Sequence, residues 1–339
     1  MDKKSKVSGR DNAYNSLIER IGTTYNQGRQ KIQKTIHREI LLTYWKIGQH
    51  IVEYEQEGNV KAEYGRQMIT KLSRDLKDRF GKGFSRSNLV YMRLLYVHYP
   101  KSETLSHQLS WSHYFELLKI SDDLERSFYE KQAVIENWSI RELKRQKDSA
   151  LFQRIALSRN KEEILELSKE GNTAKYDMDI VKDPYVFEFL KLSEEGLKHE
   201  SELESKLIEN LQKFLLELGK GFAFIGSQYR ISISNTHFFV DLVFYHRILK
   251  CFILIDLKVN EVQHHDIGQM NLYLNYFKKE ENTKGDGEPI GIILSADKDD
   301  VIVEYATGGL SNKLFVSKYQ LYLPDKKELK KRVRMIMED

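Results

Sequence analysis

The stretch His237–Phe277, HFFVDLVFYHRILKCFILIDLKVNEVQHHDIGQMNLYLNYF, decides the fold of this chain. It predicts two strands joined by a short turn, followed by a helix. Successive side chains of a strand point to opposite faces, so Asp256 and Lys258 share one face of the second strand. From Cys251 to Val259 both faces are apolar, which is typical of a strand buried on two sides. A carboxylate and an ammonium at the end of such a strand are costly unless they pair or bind a metal ion, and this cost indicates a functional site.

Asp241 lies on the preceding strand, on the same face of that strand as Val243. We therefore expect Asp241 beside Asp256, on the side of the sheet that carries Lys258. Two carboxylates in one pocket repel each other unless a divalent cation neutralises them. Mg²⁺, or Mn²⁺ in its place, suits such a site because it prefers hard oxygen ligands and keeps several waters. The backbone carbonyl of Leu257 would add a third protein oxygen.

Lys258 and the helix that follows complete the predicted site. Lys258 would orient or deprotonate an attacking water and offset the charge that develops on a phosphate. Gln269 and Tyr273 are one turn apart on the helix and can point in the same direction. The alternative is that these two side chains form a polar surface edge while Met270 and Leu274 pack inward. With no cysteine–histidine grouping beside these carboxylates, the residue set argues against zinc.

The first half of the chain contains a helix–turn–helix pattern. An amphipathic helix predicted from Tyr64 to Phe80 is followed by the glycine-containing turn GKGF at 81–84. Ser85 is a good N-cap for a second helix over 86–98. We predict that this pattern binds DNA, with the second helix in a major groove. The candidate DNA contacts are Lys71, Arg79, Lys82, Arg86, Ser87 and Asn88. The alternative is a plain helical hairpin with a solvated basic face.

Charge is distributed unevenly along the chain. Residues 1–160 contain 29 Lys and Arg against 19 Asp and Glu, and the rest contain 25 against 31, out of totals of 54 and 50. A basic first half beside an acidic second half indicates a polyanion-binding module, although ordinary surface variation gives the same imbalance. The single cysteine, Cys251, falls in the buried strand, and no segment reaches the ~18 apolar residues that span a bilayer. We expect a cytoplasmic protein that does not enter membranes.

At 339 residues the chain predicts two domains. We place a helical, basic domain at 1–160, a polar linker at 161–182 and a second domain at 183–339. Asp183-Pro184 predicts the start of a short helix over 185–192. In the second domain a long helix from Ser201 precedes three or four strands, the helix at 265–277 and further strands. That order predicts a mixed sheet flanked by helices.

Sequence motifs in both halves resemble one known family. The segments FLLELGKGFAFIGSQYR, FVDLVFYHRILKCFILIDLKV and GQMNLYL, within 201–277, are similar to the PD-(D/E)XK nuclease domain of the YhcG type. The segments TYWKIG, LSRDL, GKGFSRSNLVYMR, LSWSHY and NWSIRELKRQ resemble the N-terminal domain of the same family, which is regarded as a helix–turn–helix unit. The resemblance covers nearly the whole chain. It implies a restriction-endonuclease-like fold and metal-dependent hydrolysis of phosphodiester bonds.

The resemblance also assigns residues to the family motif. Asp241 matches the motif acid, and Asp256 and Lys258 match the (D/E)XK pair, with Asp where many members have Glu. Gln269 and Tyr273 match the helix motif of the family. The superfamily often adds a glutamate from the first core helix, for which Glu204 is the first candidate and Glu217 the second. The alternative for both glutamates is surface charge or a helix-end contact.

These observations predict an α+β protein with an all-α, helix–turn–helix-like N-terminal domain and a C-terminal PD-(D/E)XK domain. The predicted activity is Mg²⁺-dependent cleavage of DNA, directed by the N-terminal domain. Related chains occur in restriction, defence or mobile-element settings, so a role in restriction or in DNA recombination and repair is implied. The alternatives are a nucleic-acid-binding or scaffolding protein that does not cut, and a nuclease that cuts RNA. Cleavage of both DNA strands would favour a dimer.

Overall fold

The computed structural model describes residues 4–56, 62–157, 159–173, 177–192 and 199–338. Within these residues the chain divides into two compact units, Met1–Asp122 and Asp123–Asp339. Unit 1 has a small apolar core, and unit 2 has two cores that lie on opposite faces of its sheet. None of the described helices combines the length and the apolar character needed to cross a membrane.

Unit 1 is helical over its described residues. Its helices are α1 (Lys4–Tyr54), α2 (Ala62–Phe80), α3 (Arg86–His98) and α4 (Trp111–Leu117). Ile51 of α1 packs with Leu89 and Met92 of α3 in a buried cluster. Gly48 allows this approach, because a Cβ at that position would lie 2.0 Å from the carbonyl oxygen of Met92. The last turns of α1 are therefore held closely against α3.

The turn between α2 and α3 forms as predicted. The Ser85 side chain caps α3 by accepting a hydrogen bond from the Asn88 N–H at 3.1 Å. Ser73 on α2 donates a hydrogen bond to the carbonyl of Phe84 at 2.8 Å, which fixes the turn against the first helix. Unsatisfied N–H groups at a helix start are costly, so this cap stabilises the start of α3.

Unit 2 begins with four helices and continues into a sheet with flanking helices. The first four are α5 (Asp123–Ile135), α6 (Ile140–Asp148), α7 (Leu151–Ala156) and α8 (Lys161–Glu170). The remaining helices are α9 (Glu200–Glu209), α10 (Leu211–Leu218), α11 (His264–Tyr276), α12 (Asp300–Thr307) and α13 (Lys326–Glu338). The strands are β1 (Tyr185–Val186), β2 (Phe222–Ile233), β3 (Thr236–His246), β4 (Cys251–Glu261), β5 (Ile290–Asp297) and β6 (Lys313–Gln320).

The six strands form one mixed sheet in the order β1-β6-β5-β4-β3-β2. Strands β2, β3 and β4 are antiparallel neighbours, whereas β4, β5, β6 and β1 run parallel. One face packs against α9 and α10, and the other packs against α11 and α12. At Gly291 on β5 a Cβ would lie 2.7 Å from Met270 Cγ, so glycine is needed where α11 approaches the sheet. The predicted mixed sheet flanked by helices is confirmed.

The segment predicted as a helix over 185–192 is not a regular helix. Tyr185 and Val186 form β1, which pairs with Tyr319 and Gln320 of β6, and only a single 3₁₀ turn follows at Glu188–Leu190. The edge of the sheet offers backbone hydrogen-bond partners, and the buried apolar side chains of β1 fit the sheet core. Tertiary pairing therefore overrides the helix-start signal of Asp183-Pro184.

The units also divide the chain differently from the predicted boundaries of 1–160, 161–182 and 183–339. Helices α5 to α8 belong to the sheet-containing unit, and α8 lies within the segment that was expected to be a linker. The physical reason is a buried ion pair between Arg154 of α7 and Glu217 of α10, at 2.8 Å with both side chains fully buried. Lys326 and Lys330 of α13 also pair with Glu125 of α5, at 2.9 and 2.8 Å. These contacts bind the four helices to the sheet-containing unit.

Candidate active site

Strand β4 alternates between the two cores of unit 2, as its sequence predicts. Leu254 packs on the α11 side, and Ile255 and Leu257 pack on the α9 side. Asp256 is only 4% exposed, on the side that faces α11. Lys258 follows it on the same face, with its ammonium 2.8 Å from Asp256 Oδ2.

Asp241 lies where β3 leaves β4. The two strands pair from Leu242, one residue after Asp241, and on β4 the pairing ends at Ile255, one residue before Asp256. Asp241 Oδ2 accepts a hydrogen bond from the backbone N–H of Leu257 at 2.8 Å. The N–H and C=O of one strand residue point to the same neighbouring strand, so the carbonyl of Leu257 also faces the Asp241 side. The chain thus brings together Asp241, Asp256, Leu257 and Lys258.

The regular alternation of β3 is interrupted at Asp241. Val240 and Val243 both pack in the core on the α11 side, although strict alternation would place them on opposite faces. Opposite this point, Gln228 of β2 has a positive φ of 48°, which is uncommon for a residue other than glycine. Its side-chain amide donates to Asp241 Oδ1 at 3.1 Å and to Glu204 Oε2 at 2.6 Å. One glutamine therefore joins two carboxylates of the site.

Helix α9 supplies two glutamates to the site, whereas the alternative glutamate of α10 lies elsewhere. Glu204 reaches the site through Gln228, and Glu200, one turn earlier, lies 3.7 Å from Lys258 Nζ. Burial raises the pKa of Glu204 above its usual range, and the charge of Asp241 adds to that effect. Glu217 is fully buried in hydrogen bonds to Arg145, Arg154 and the N–H of Val186. It is thus held in the interior of unit 2.

Lys258 is surrounded by carboxylates. Its ammonium lies 2.8 Å from Asp256, 3.6 Å from Asp266 and 3.7 Å from Glu200. Burial alone would lower the pKa of Lys258, but the nearby charge of Asp256 outweighs that effect and raises it. Lys258 therefore remains protonated at neutral pH.

Asp256 is the most perturbed acid of the site. Burial and the nearby charge of Asp241 raise its pKa to about 7, against the opposing effect of Lys258. Its buried Oδ2 has no hydrogen bond, although Lys258 Nζ is close, because the angles between these groups are unfavourable. A buried carboxylate oxygen with a free lone pair fits a site for a cation.

The donor chemistry of the site fits Mg²⁺ or Mn²⁺. Asp241, Asp256 and the Leu257 carbonyl offer hard oxygen atoms of the kind that these ions prefer. Across the described ranges, no three Asp, Glu, His or Cys side chains already converge as a complete metal-binding group. Within the site itself, Asp241 is bonded to Gln228 and Asp256 is paired with Lys258, so the acids have separate partners.

The two α11 residues of the helix motif lie together. The side-chain amide of Gln269 donates to the hydroxyl of Tyr273, which in turn donates to the carbonyl of Phe239 at 3.1 Å. Tyr273 is fully buried. It holds the β3 backbone two residues before Asp241, so its contacts are those of a positioning residue. Gln269 is half-buried and orients that hydroxyl.

The predicted DNA contacts cluster around the turn of unit 1. Arg79 lies in the last turn of α2, Lys82 lies in the turn between the helices and Arg86 begins α3. All three side chains are exposed, as are those of Ser87 and Lys71. The side-chain amide of Asn88 is instead used within the turn, where it donates to the carbonyl of Gly83 at 3.0 Å. This contact indicates a structural use for Asn88.

Three residues of the site were not found by sequence reasoning: Glu200, Gln228 and Asp266. The sequence spacing could have indicated Glu200, because it precedes Glu204 by four residues and shares its helix face. Asp266 is the third residue of α11, where its carboxylate accepts from the Gln263 N–H, so a capping role explains it equally well. Gln228 gave no signal, since its role depends on a local irregularity of β2.

The sequence is similar to known proteins over most of its length. Residues 178–334 match the family described as the YhcG PDDEXK nuclease domain, and residues 20–154 match the family described as the DUF1016 N-terminal domain. The chain is 36% identical to the "Putative nuclease YhcG" of Escherichia coli (strain K12), covering 96% of this chain and 95% of that protein. A crystal structure of a repair endonuclease from Pyrococcus abyssi has 20% identity and a TM-score of 0.27, covering 38% of this chain and 49% of that one.

Proposed function

Because this chain belongs to the YhcG family of PDDEXK nucleases, we propose that it is a metal-dependent endonuclease that hydrolyses phosphodiester bonds of DNA. The observation that carries the proposal is the acidic site around Lys258. Three carboxylates, those of Glu200, Asp256 and Asp266, lie within 3.7 Å of this ammonium. Two more, those of Glu204 and Asp241, are held together beside them by Gln228. A phosphate would be repelled from such a site unless cations offset the charge.

The protein's own groups would hold the ion. Asp241, Asp256 and the Leu257 carbonyl are the proposed ligands, with Glu204 as a further acid. When bound, Mg²⁺ or Mn²⁺ would polarise the phosphate and lower the pKa of a coordinated water. Gln228 keeps Asp241 and Glu204 in place through its two hydrogen bonds.

Lys258 would orient the attacking water and stabilise the negative charge that develops on the phosphate. Its raised pKa favours this electrostatic role over that of a general base, which requires a neutral amine. Tyr273 and Gln269 would act by fixing the β3 backbone beside Asp241. Asp241, Asp256 and Lys258 are therefore the residues that we propose touch the reacting groups, directly or through the ion.

We propose that unit 1 binds DNA through the basic residues around its turn. Arg79, Lys82 and Arg86 are exposed over a short stretch and can contact phosphates of one backbone. Lys71 and Ser87 would extend this surface, whereas Asn88 would act by stabilising the turn. A role in restriction, defence or DNA recombination and repair goes with this proposal. So does a cytoplasmic location, with which the buried free thiol of Cys251 is compatible.

A substrate panel tests the proposed activity. The purified full chain would be incubated with duplex, single-stranded and branched DNA and with RNA, each in Mg²⁺, in Mn²⁺ and in EDTA. We expect cleavage of at least one DNA form in the divalent ions and none in EDTA. Cleavage restricted to RNA would show that the substrate is RNA and not DNA. Binding without any cleavage would favour a nucleic-acid-binding or scaffolding protein that does not cut.

A further inference from the structure

Helix α1 carries an apolar stripe with an 11-residue repeat. Three positions of each repeat, separated by steps of four, three and four residues, lie on one face of the helix. They are Tyr14, Ile18 and Ile21; Tyr25, Arg29 and Ile32; Ile36, Ile40 and Thr43; and Ile47, Ile51 and Tyr54. An 11-residue repeat corresponds to about 3.67 residues per turn, so the stripe stays nearly straight along the helix.

The four repeats differ in their surroundings. In the last repeat Ile51 is buried and Ile47 packs beside it, in the cluster with α2 and α3. The apolar residues of the first three repeats remain exposed, from 39% for Ile40 to 64% for Tyr14 and Tyr25. The stripe is thus covered at Ile47 and Ile51, although Tyr54 after them is 54% exposed, and it is uncovered over about 40 Å from Tyr14 to Ile40.

Exposed stripes of this size are unusual in a protein that stays monomeric. The seven exposed apolar side chains of the first three repeats are Tyr14, Ile18, Ile21, Tyr25, Ile32, Ile36 and Ile40. At roughly 100 Å² each they present about 700 Å². A standard protein interface buries about 800 Å² on each partner, so pairing two such stripes matches what a stable dimer needs.

We propose that α1 is the dimerisation helix of this protein, and that its exposed stripe binds the α1 helix of a second copy. Each copy presents the same repeat, so one twofold axis can bury both stripes in a self-complementary contact. This proposal goes beyond the nuclease assignment and does not depend on it. It also supplies the interface that a two-strand cut by two copies would require.

Arg29 favours an antiparallel arrangement. It is the one charged residue of the exposed stripe, and a parallel dimer in register would place it against its own copy. An antiparallel pair centred on Tyr25 instead places Arg29 across from Ile21, and Ile18 across from Ile32. Within one chain the Arg29 guanidinium already lies over the Tyr25 ring, 5.8 Å from its centroid. The antiparallel pair thus keeps the two guanidinium groups apart beside the central tyrosines.

The mass of the full chain in solution tests the interface. We expect sedimentation equilibrium to give a dimer for the wild type, and the double variant Ile18→Glu/Ile32→Glu to weaken dimerisation on the order of 100-fold. Both changes lie in an exposed part of α1 and keep good helix formers, so circular dichroism should show an unchanged helix content. The matched control is Ser16→Glu/Gln27→Glu, which adds the same charges on the opposite, exposed face of α1 and should remain dimeric.

Disulfide trapping tests the orientation. The native Cys251 is 2% exposed, so only the introduced cysteines should form a disulfide between two copies. A mixture of Ile18→Cys and Ile32→Cys proteins should cross-link under oxidation, and neither protein alone should do so. A monomeric wild type at micromolar concentration, or an Ile18→Glu/Ile32→Glu variant as dimeric as the control, would overturn the interface. Cross-linking of Ile18→Cys to itself would overturn the antiparallel arrangement.

Discussion

Glu217 gives the sharpest prediction about stability. It lies at the centre of a buried network, where Oε1 accepts from Arg154 at 2.8 Å and from the Val186 N–H at 3.1 Å. Oε2 accepts from Arg145 at 3.1 Å, and the Lys182 ammonium donates to the Glu217 backbone carbonyl. Glu217→Gln keeps the volume of the side chain but removes the negative charge that is bonded to the fully buried Arg154.

The expected cost is about 3–5 kcal/mol, which is typical when one partner of a buried ion pair is lost and the other stays buried. Two features place Glu217→Gln at the upper part of that range. The glutamine NH₂ must face the N–H groups of either Arg145 or Arg154, which repel it. Lys182 also remains buried without the acid whose charge most favours its protonated form. Since the total stability of a domain is about 5–15 kcal/mol, unit 2 should be severely weakened.

Hydrogen exchange during urea unfolding measures the effect, because peptides from α7 and α10 report on unit 2 alone. The matched control is Glu209→Gln on α9, where an exposed carboxylate pairs with Lys206 at 3.0 Å. That change should cost no more than ~0.5 kcal/mol. If Glu217→Gln and Glu209→Gln shift the urea midpoint equally, the network does not hold α5 to α8 against the sheet.

The same network predicts a pH dependence. Burial would raise the pKa of Glu217, but Arg154, Lys182 and Arg145 overcome this and hold it at about 2, below its ordinary value of 4.5. A depressed carboxylate pKa contributes stability that is complete above pH 4.5 and is lost as the pH falls toward 2. Wild type should therefore lose stability over this window more steeply than Glu217→Gln. Parallel pH profiles of the two proteins would contradict the assignment.

Two further predictions concern the site and the basic surface. Gln228→Ala removes a hydrogen bond to each of two carboxylates. The cleavage rate should therefore fall about tenfold or more, and the Mg²⁺ concentration that gives the half-maximal rate should rise. An unchanged Mg²⁺ dependence would show that Gln228 does not position these carboxylates. Replacing Arg79, Lys82 and Arg86 together by alanine should weaken DNA binding and reduce the slope of log affinity against log salt concentration by up to about three. A triple alanine variant of exposed basic residues on α13 should keep the wild-type slope. Equal slopes for the two triple variants would show that Arg79, Lys82 and Arg86 do not contact phosphates. The control triple is Lys327, Lys331 and Arg334.

The core of the candidate site could be predicted because it depends on strand periodicity. The two-residue period of β4 places Asp256 and Lys258 on one face, and the adjacent strand brings Asp241 to the same place. Both inferences need only local geometry and a neighbouring strand. The structure bears out the alternation of β4, whereas the alternation of β3 is interrupted at Asp241. The proximity of Asp241 to β4 follows from its bond to the Leu257 N–H.

The parts that were missed depend on contacts between distant segments. Gln228 reaches Asp241 only because β2 has an irregular backbone at that point, and no residue pattern encodes that irregularity. The compact units divide at Asp122 and not at the predicted boundary, and the Arg154–Glu217 pair behind this difference joins residues 63 positions apart in sequence. Likewise β1 is a strand only because the edge of β6 lies beside it. Periodicity predicts elements, but it does not predict which of them share a buried charge.

The most direct test of the central claim compares wild type with Lys258→Ala under single-turnover conditions on duplex DNA in Mg²⁺. We predict that Lys258→Ala cuts at least ~100-fold more slowly, because one stabilising group of the transition state is lost. Its affinity for the same duplex, measured in EDTA, should stay unchanged. Lys284→Ala removes an exposed lysine from a loop and should cut like the wild type. Equal cleavage rates for wild type and Lys258→Ala would contradict the claim that this site performs the hydrolysis.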